Sequence, residues 1–357
     1  MKIGVLTFHR CINYGSYWQA RCLVHGLGSL GHDAVLLDHA SRRIDRAEWK
    51  CALRPVPDAR ADRPAYRRKM QRFFEAFASL PLSPRFPLDE PGQMPAYDAI
   101  VVGSDEVWNL SHPWYGRVPL FYGDGLRAPL KIAYAASLGH HAEPDGLDRA
   151  WSRRLHDFDA ISVRDDASRS IVAGALAAEV PVVLDPCLAF PPVLADAPAP
   201  GDGQPYVALY GHDFSPAFGG AVRAWARRRG WLVISIGYRS EWADRQWIDA
   251  GPHEFAAFMA NAGAVATTFF HGCVFSLRFG RPFVCEASWY RGTKLRCLMH
   301  QVGAERHLVG GSATLDDDME RLLDAPLPEA FATRIAALQR SSRRFLREAL
   351  RAPEAVA

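Results

Sequence analysis

The sequence contains very little lysine: five of its 42 basic residues are lysine, and the rest are arginine. Its seven cysteines contain no C-x-x-C motif, which gives no support to a zinc site and favours reduced thiols. No run of about 18 apolar residues occurs, so no membrane-spanning helix is expected. The N-terminus has no basic region followed by a long apolar stretch, so no secretory signal is expected either. These absences predict a cytoplasmic protein.

The charge of the chain is nearly balanced, with 42 basic and 39 acidic residues. A net charge of +3 is too small to predict a nucleic-acid-binding surface. Hydrophobic residues make up 49% and charged residues 23%, an ordinary globular composition. The 357 residues suffice for about two domains of typical size.

Short runs rich in Val, Ile and Leu alternate with longer amphipathic segments, a pattern typical of parallel α/β sheets covered on both faces. Strands are predicted at Ile3–Phe8, Ala34–Asp38, Ala99–Gly103, Ile132–Ala136, Ala160–Val163, Pro181–Leu184, Tyr206–Tyr210, Leu232–Ile236, Val265–Phe269 and Pro282–Cys285. Helices between them include Tyr17–Leu30, Leu147–Phe158 and Ala217–Arg229.

A segment dense in Pro, Gly and Asp, Phe190–Gly203, interrupts this alternation and predicts a linker. We therefore expect an N-terminal α/β domain over 1–190, with a helical insertion at about 42–95, and a C-terminal α/β domain over 204–325. Residues 328–357 contain an amphipathic helix, Pro328–Leu350, that is expected to pack on the N-terminal domain. The predicted fold class is α/β, with two Rossmann-like doubly wound domains facing a central cleft.

Ligands of open α/β sheets bind at the carboxyl ends of the strands, so residues that follow strands are the candidates. After the first strand come Asn13 and Tyr14, before a helix that contains Trp18. Small polar residues there suit a sugar oxygen or an anion, and a capping turn is the alternative interpretation. After the third strand come Ser104 and Asp105, followed by Trp108.

The acid at position 105 would accept a hydroxyl proton, and the indole of Trp108 would stack on a sugar ring. An N-capping acid beside a core tryptophan is the alternative. Arg164 ends an apolar strand, where a guanidinium would bind phosphate or carboxylate in a bidentate manner. A structural pair with Asp165 or Asp185 is equally compatible with the sequence.

The pair His271-Gly272 stands where a strand ends and a helix begins. The free N–H groups of a helix N-terminus bind anions, and an imidazole beside them is a proton donor, although a structural histidine is the alternative. Lys294, one of the five lysines, follows one element later. Its ammonium suits a phosphate, and a solvated helix start is the alternative.

Taken in order, these segments resemble the polysaccharide pyruvyl transferase family over about residues 1–300. The matching segments are Lys2–Phe8, Asn13–Gly15, Gly103–Asn109, Tyr134–Gly139, Ile161–Asp165, Val183–Pro186, His271-Gly272, Phe275–Leu277 and Lys294. Glu106 departs from the glutamine that is common in the family, Ser16-Tyr17-Trp18 from small and aliphatic residues, and Cys273 from threonine, serine or an aliphatic residue.

The resemblance implies a fold similar to the GT-B glycosyltransferases and a role in polysaccharide or exopolysaccharide biosynthesis. It implies transfer from phosphoenolpyruvate, as a co-substrate, to two hydroxyls of a sugar, giving a pyruvate ketal and phosphate. Arg164, His271 and Lys294 match positions implicated in donor binding and catalysis, with Gly272 beside them. No metal and no further cofactor are expected, because two cations and a helix N-terminus would neutralise the donor.

Asp105 is expected to deprotonate the acceptor, and Asn13, Tyr14, Trp18, Ser104 and Trp108 to bind it, so that the acceptor lies on the N-terminal domain and the donor on the C-terminal domain. Whether the acceptor is lipid-linked stays open, as does membrane contact through the basic segment Arg60–Arg72, for which a solvated helix is the simpler interpretation. Alternative functions are a GT-B-type nucleotide-sugar glycosyltransferase and a non-catalytic sugar-binding module.

Overall fold

The computed structural model describes residues 1–55, 60–139, 146–194, 203–286, 292–310 and 314–351. Contacts within the chain group the residues into two compact units. Unit 1 comprises Met1–Glu48, Leu80–Pro192 and Ala336–Ala357, and unit 2 comprises Trp49–Ser79 and Val193–Ile335. The segment Trp49–Ser79, expected as part of an insertion in the N-terminal domain, groups with unit 2. Of the predicted linker, residues 195–202 lie outside the described residues.

The strands, in chain order, are β1 (Lys2–Leu6), β2 (Asp33–Leu36), β3 (His39–Ala40), β4 (Phe86–Pro87), β5 (Ala99–Val102), β6 (Leu130–Ala136), β7 (Ala160–Val163), β8 (Tyr206–Tyr210), β9 (Leu232–Ile236), β10 (Arg245–Trp247), β11 (Ala264–Thr267), β12 (Phe283–Glu286) and β13 (Leu308–Val309). The helices are α1 (Tyr14–Ser29), α2 (Arg42–Leu53), α3 (Arg63–Ala78), α4 (Arg149–Leu155), α5 (Asp166–Leu176), α6 (Pro186–Ala189), α7 (Pro216–Arg228), α8 (Pro252–Asn261), α9 (Phe270–Phe279), α10 (Gly292–Val302), α11 (Leu315–Leu323) and α12 (Glu329–Ala349). The division between the units falls within α2 and within α12.

Each unit is built on one main parallel sheet. In unit 1 the strand order is β2-β1-β5-β6-β7, and in unit 2 it is β10-β9-β8-β11-β12-β13. Every neighbouring pair in these two sheets is parallel. Strands β5, β8 and β11 are buried at every residue, as expected for parallel strands covered on both faces. The carboxyl ends of the strands therefore meet at one edge of each sheet.

The predicted strand Pro181–Leu184 is wrong: Val182 makes a single isolated bridge to Val163, and the chain then enters α6. The helix predicted from Tyr17 begins earlier, at Tyr14, because the Asn13 side chain caps it. The core of unit 1 includes Ile100 and Val102 of β5. Within the described residues, no helix has the length and apolar character required to cross a bilayer.

Candidate functional site

In unit 1, three elements bring polar side chains to the surroundings of Asp105, which follows β5. Ser16, in the first turn of α1, donates a hydrogen bond from Oγ to Asp105 Oδ2 over 2.8 Å. Arg164, directly after β7, lies 3.6 Å from Asp105 Oδ1 through its Nη2. The same guanidinium contacts Asp185, which caps α6, over 3.0 Å from Nη1 to Oδ2. We call Ser16, Asp105, Arg164 and Asp185 the Asp105 cluster.

The backbone at Asp105 adopts a conformation that is unusual for a residue with a side chain. Its φ is 75°, in the left-handed region, which aspartate adopts more readily than most other residues with a side chain. Gly103, two residues before it, has a φ of 114°, and a Cβ there would lie 2.2 Å from the Tyr134 carbonyl oxygen. The Asp105 carboxylate is partly accessible, with 13% of the side chain exposed. The loop thus needs glycine at 103 to hold an acid at this edge of the sheet.

Arg164 is enclosed by acids rather than open to solvent, with 3% of its side chain exposed. Burial alone would lower the pKa of its guanidinium, but the carboxylates of Asp105, Asp185 and Asp165 together raise that pKa. Of the two interpretations left open by the sequence, the structure shows the ion pair with Asp185. Asp165 instead caps α5 through Ser168 N–H and accepts a hydrogen bond from Ser137. Arg164 and two carboxylates carry one net negative charge.

The aromatic residues expected to stack on a sugar lie in the core instead. Trp108 is 0% exposed, stacks on Tyr122 and donates its indole N–H to the Phe121 carbonyl over 2.8 Å. Tyr14 and Trp18 are each 1% exposed. A fully buried ring offers no face to a ligand, so the stacking predicted for Trp108 and the acceptor binding predicted for Tyr14 and Trp18 need correction. These three side chains stabilise the fold through the burial of their apolar surface.

The small polar residues of unit 1 occupy different positions from one another. Asn13 is exposed and caps α1, since its Oδ1 accepts a hydrogen bond from Ser16 N–H over 3.2 Å, as in the capping interpretation. Ser104 is fully buried, and its Oγ has no hydrogen-bond partner in the described part of the chain. The Ser104 carbonyl accepts from the Thr7 hydroxyl over 2.9 Å, which ties β1 to the Asp105 loop. Ser16 was not predicted as a site residue, although its place in a first helical turn after a strand was a usable signal.

In unit 2, His271 lies in the first turn of α9, directly after β11, and is partly exposed. Gly272 is required there, because a Cβ at this position would lie 2.0 Å from Thr267 Oγ1. The Thr267 hydroxyl donates to the Tyr210 carbonyl and accepts from Phe269 N–H over 3.0 Å, which shapes the turn into the helix. The predicted strand-to-helix junction is therefore present, and α9 begins one residue before His271.

Lys294 lies in the first turn of α10 and is partly exposed. The preceding residues 287–291, which include part of the loop predicted to face a ligand, are outside the described residues. The structure therefore places Lys294 at the N-terminal end of a helix in unit 2, where a cation has no favourable interaction with the helix dipole. Its proposed contact with an anion stays a prediction.

A family model described as polysaccharide pyruvyl transferase matches residues 13–290 of the chain. The match includes Asp105, Arg164 and His271, and it ends four residues before Lys294. No curated protein matches the chain.

Solved structures with similar folds include two UDP-GlcNAc 2-epimerases. The enzyme from Neisseria meningitidis, bound to UDP-GlcNAc, has a TM-score of 0.54 and 9% identity, covering 98% of this chain and 99% of its own. The enzyme from Methanocaldococcus jannaschii has a TM-score of 0.51 and 12% identity, with coverages of 98% and 99%. At these identities the likeness shows the fold alone. It confirms the expected two-domain α/β fold of the GT-B type.

Proposed function

Because the chain belongs to the polysaccharide pyruvyl transferase family, we propose that this transferase moves the pyruvyl group of phosphoenolpyruvate to two hydroxyls of a sugar or glycan, forming a ketal and releasing phosphate. The observation that carries the proposal is the Asp105 cluster. It presents a partly exposed carboxylate, on a residue with left-handed backbone, that already accepts a hydrogen bond from a hydroxyl group.

Asp105 is proposed as the base that accepts the proton of the attacking hydroxyl. The Ser16 hydroxyl, 2.8 Å from Oδ2, illustrates the contact that a sugar hydroxyl would make. The guanidinium of Arg164, whose Nη2 lies 3.6 Å from Asp105 Oδ1, can orient this carboxylate. The two acids beside Arg164 oppose the binding of a further anion there. We therefore propose that Arg164 first orients Asp105, and its contact with the donor stays a prediction.

Unit 2 is proposed to hold the donor through His271, Gly272 and Lys294. The N–H groups at the start of α9 would bind the phosphate or the carboxylate of phosphoenolpyruvate, and the ammonium of Lys294 would add a positive charge. The close approach of Gly272 to Thr267 leaves the helix start without a side chain at that position. This arrangement supports the donor assignment made from the family resemblance.

The reaction balances as follows. A proton adds to C3 of phosphoenolpyruvate, which leaves a cation at C2 that is stabilised by the enol oxygen. The first hydroxyl attacks C2 and loses its proton to Asp105, and then the C2–O bond to phosphate breaks. The second hydroxyl closes the ketal and loses its proton to the departing phosphate or to a base. The two hydroxyls lose two protons in total. One of these equals the proton that C3 gains, and the other leaves with hydrogen phosphate, so all atoms are accounted for.

The experiment compares Asp105→Asn with Asp124→Asn. Asp124 is a matched control, because it pairs with Arg154 over 2.8 Å but is 42% exposed and lies outside the cluster. With phosphoenolpyruvate and a panel of glycans, phosphate release should fall by about 10²–10⁴-fold in Asp105→Asn and stay unchanged in Asp124→Asn. An Asp105→Asn variant of normal rate would remove Asp105 from the mechanism.

Ligand-dependent melting separates the other functions. Phosphoenolpyruvate at about 100 times its Kd should stabilise the protein by about 2.7 kcal/mol, and uridine diphosphate should have no effect. Stabilisation by uridine diphosphate alone would favour the nucleotide-sugar glycosyltransferase. Sugar binding without phosphate release would favour the non-catalytic module.

A further inference from the structure

A second histidine lies at the carboxyl edge of the unit 2 sheet, in a loop that the sequence analysis did not single out. His212 follows β8, and β8 is the direct parallel neighbour of β11, with Tyr210 opposite Thr267. The loops after these two strands therefore leave the sheet side by side. One loop carries His212 and the other leads to His271.

The His212 loop is held firmly against the loop after β11. A Cβ at Gly211 would lie 2.4 Å from Thr268 Oγ1, so the close approach requires glycine. The Thr268 hydroxyl donates to the His212 carbonyl over 3.0 Å and accepts from His212 N–H over 3.3 Å. The imidazole ring packs edge-on against Phe269 at 5.0 Å and against Tyr238 at 5.8 Å between centroids. His212 is thus positioned relative to the start of α9.

Asp213 Oδ2 accepts a hydrogen bond from Nδ1–H of the His212 imidazole. This contact between chain neighbours occurs in a left-handed backbone, with a φ of 58° at Asp213, which aspartate tolerates better than most residues. A carboxylate that accepts from Nδ1–H fixes the tautomer of the neutral imidazole and stabilises the imidazolium, the form that donates a proton. The His212 side chain is 31% exposed, which leaves it accessible to a substrate.

We infer that His212 and Asp213 form an acid–base pair that serves the transfer reaction, with His212 as the proton donor to C3 of phosphoenolpyruvate. This assignment rests on the proposed function. The Nε2–H bond of the imidazolium breaks as the C3–H bond forms, which leaves neutral His212 and the cation at C2. The hydroxyl proton taken up by Asp105 and then released to solvent balances the proton that His212 regains. His271 and the start of α9 then serve the phosphate.

The test uses His212→Asn and Asp213→Asn, with His300→Asn as the matched control. His300 also contacts a carboxylate, Glu305, through Nδ1 over 3.0 Å, but it is 71% exposed and lies at the other end of α10 from Lys294. Phosphate release from phosphoenolpyruvate is measured with a glycan acceptor from pH 5 to 9. Binding of phosphoenolpyruvate and thermal melting are measured in parallel to show that each variant is folded.

We expect kcat of His212→Asn to fall by about 10²-fold or more with little change in the KM for phosphoenolpyruvate, because general acid catalysis acts on the chemical step. Asp213 is 73% exposed and asparagine tolerates the same backbone, so Asp213→Asn should fold normally. Its kcat should fall by less than about tenfold, since the exposed carboxylate is screened. The alkaline limb of its pH profile should move to lower pH, since the imidazolium has lost its carboxylate. The ammonium of Lys69 lies over the Tyr238 ring that contacts His212, and Lys69 is the same in all variants, so it does not account for a difference between their pH profiles.

Full activity of His212→Asn in an active wild-type background would overturn the assignment of the pair alone. A parallel loss in His300→Asn would also overturn it, because the loss would then not depend on the position of the histidine. If the wild type releases no phosphate with any acceptor tested, the proposed function fails, and this inference fails with it.

Discussion

Lys69 on α3 lies in the interior of unit 2, where burial should make the stability of the protein dependent on pH. Its side chain is 4% exposed, its ammonium donates to the Gly237 carbonyl over 2.9 Å, and it lies 4.4 Å above the Tyr238 ring. Burial disfavours the charged form and lowers the pKa of Lys69 from 10.5 to about 7. The lysine thus supports the Tyr238 ring that contacts His212, at a cost in stability whenever it is charged.

The sign follows from proton binding. Between pH 7 and pH 10.5 the unfolded chain keeps the Lys69 proton while the folded chain has lost it, so the free energy of unfolding rises with pH in this window. The pKa difference of about 3.5 corresponds to about 5 kcal/mol in total, at about 1.36 kcal/mol for each pH unit. Between pH 7 and pH 9.5, about 3 kcal/mol of that should be recovered.

Urea unfolding of the wild type, Lys69→Met and Lys50→Met at pH 7 and 9.5 tests this expectation. Lys50 is exposed, so its replacement should leave the pH dependence of the wild type intact. In Lys69→Met the rise of about 3 kcal/mol should be absent, whatever constant offset the lost hydrogen bond to Gly237 adds. If Lys69→Met keeps the full rise, Lys69 is not the group responsible and its ammonium is not held in a poorly solvated environment.

Two further changes have defined outcomes. Burial raises the pKa of Glu48 from 4.5 to about 7, so its contribution to stability is present below pH 4.5 and is lost as pH rises to about 7. The free energy of unfolding measured in urea should therefore fall by about 3 kcal/mol across this window, and Glu48→Gln should remove that fall; an unchanged slope would contradict the assignment. Gly272→Ala should destabilise the protein by about 1–3 kcal/mol and weaken phosphoenolpyruvate binding, because a Cβ there meets Thr267. The control, Gly220→Ala in α7, places a Cβ where nothing lies within 4 Å and should stabilise the protein by about 0.5–1 kcal/mol. Equal effects of the two substitutions on thermal melting would refute the steric argument.

The site shows where prediction from the sequence stops. Arg164 was correctly predicted at a strand end. Whether its guanidinium binds an anion or pairs with an acid depends on the distance to Asp185, and that distance cannot be read from the sequence because the two residues are 21 positions apart. Trp18 and Trp108 are of a residue type common in sugar-binding surfaces, but both are buried in the core. An aromatic side chain suits both environments, so its burial, not its identity, decides which role is open to it.

The sequence by itself predicted nine of the eleven strands that the described residues form in the two main sheets, all except β10 and β13, because hydrophobic periodicity and strand–helix alternation are local properties. It also predicted the polar loops after β1, β5, β7 and β11, since loops at the carboxyl ends of parallel strands share one edge, but not the His212 loop after β8. Only the tertiary structure decided that Asp105 meets Ser16 and Arg164, and that His212 meets Asp213 beside Thr268. The contacts of Asp105 with Ser16 and Arg164, and of His212 with Thr268, join groups far apart in the chain and depend on distances of a few ångströms, which no residue pattern encodes.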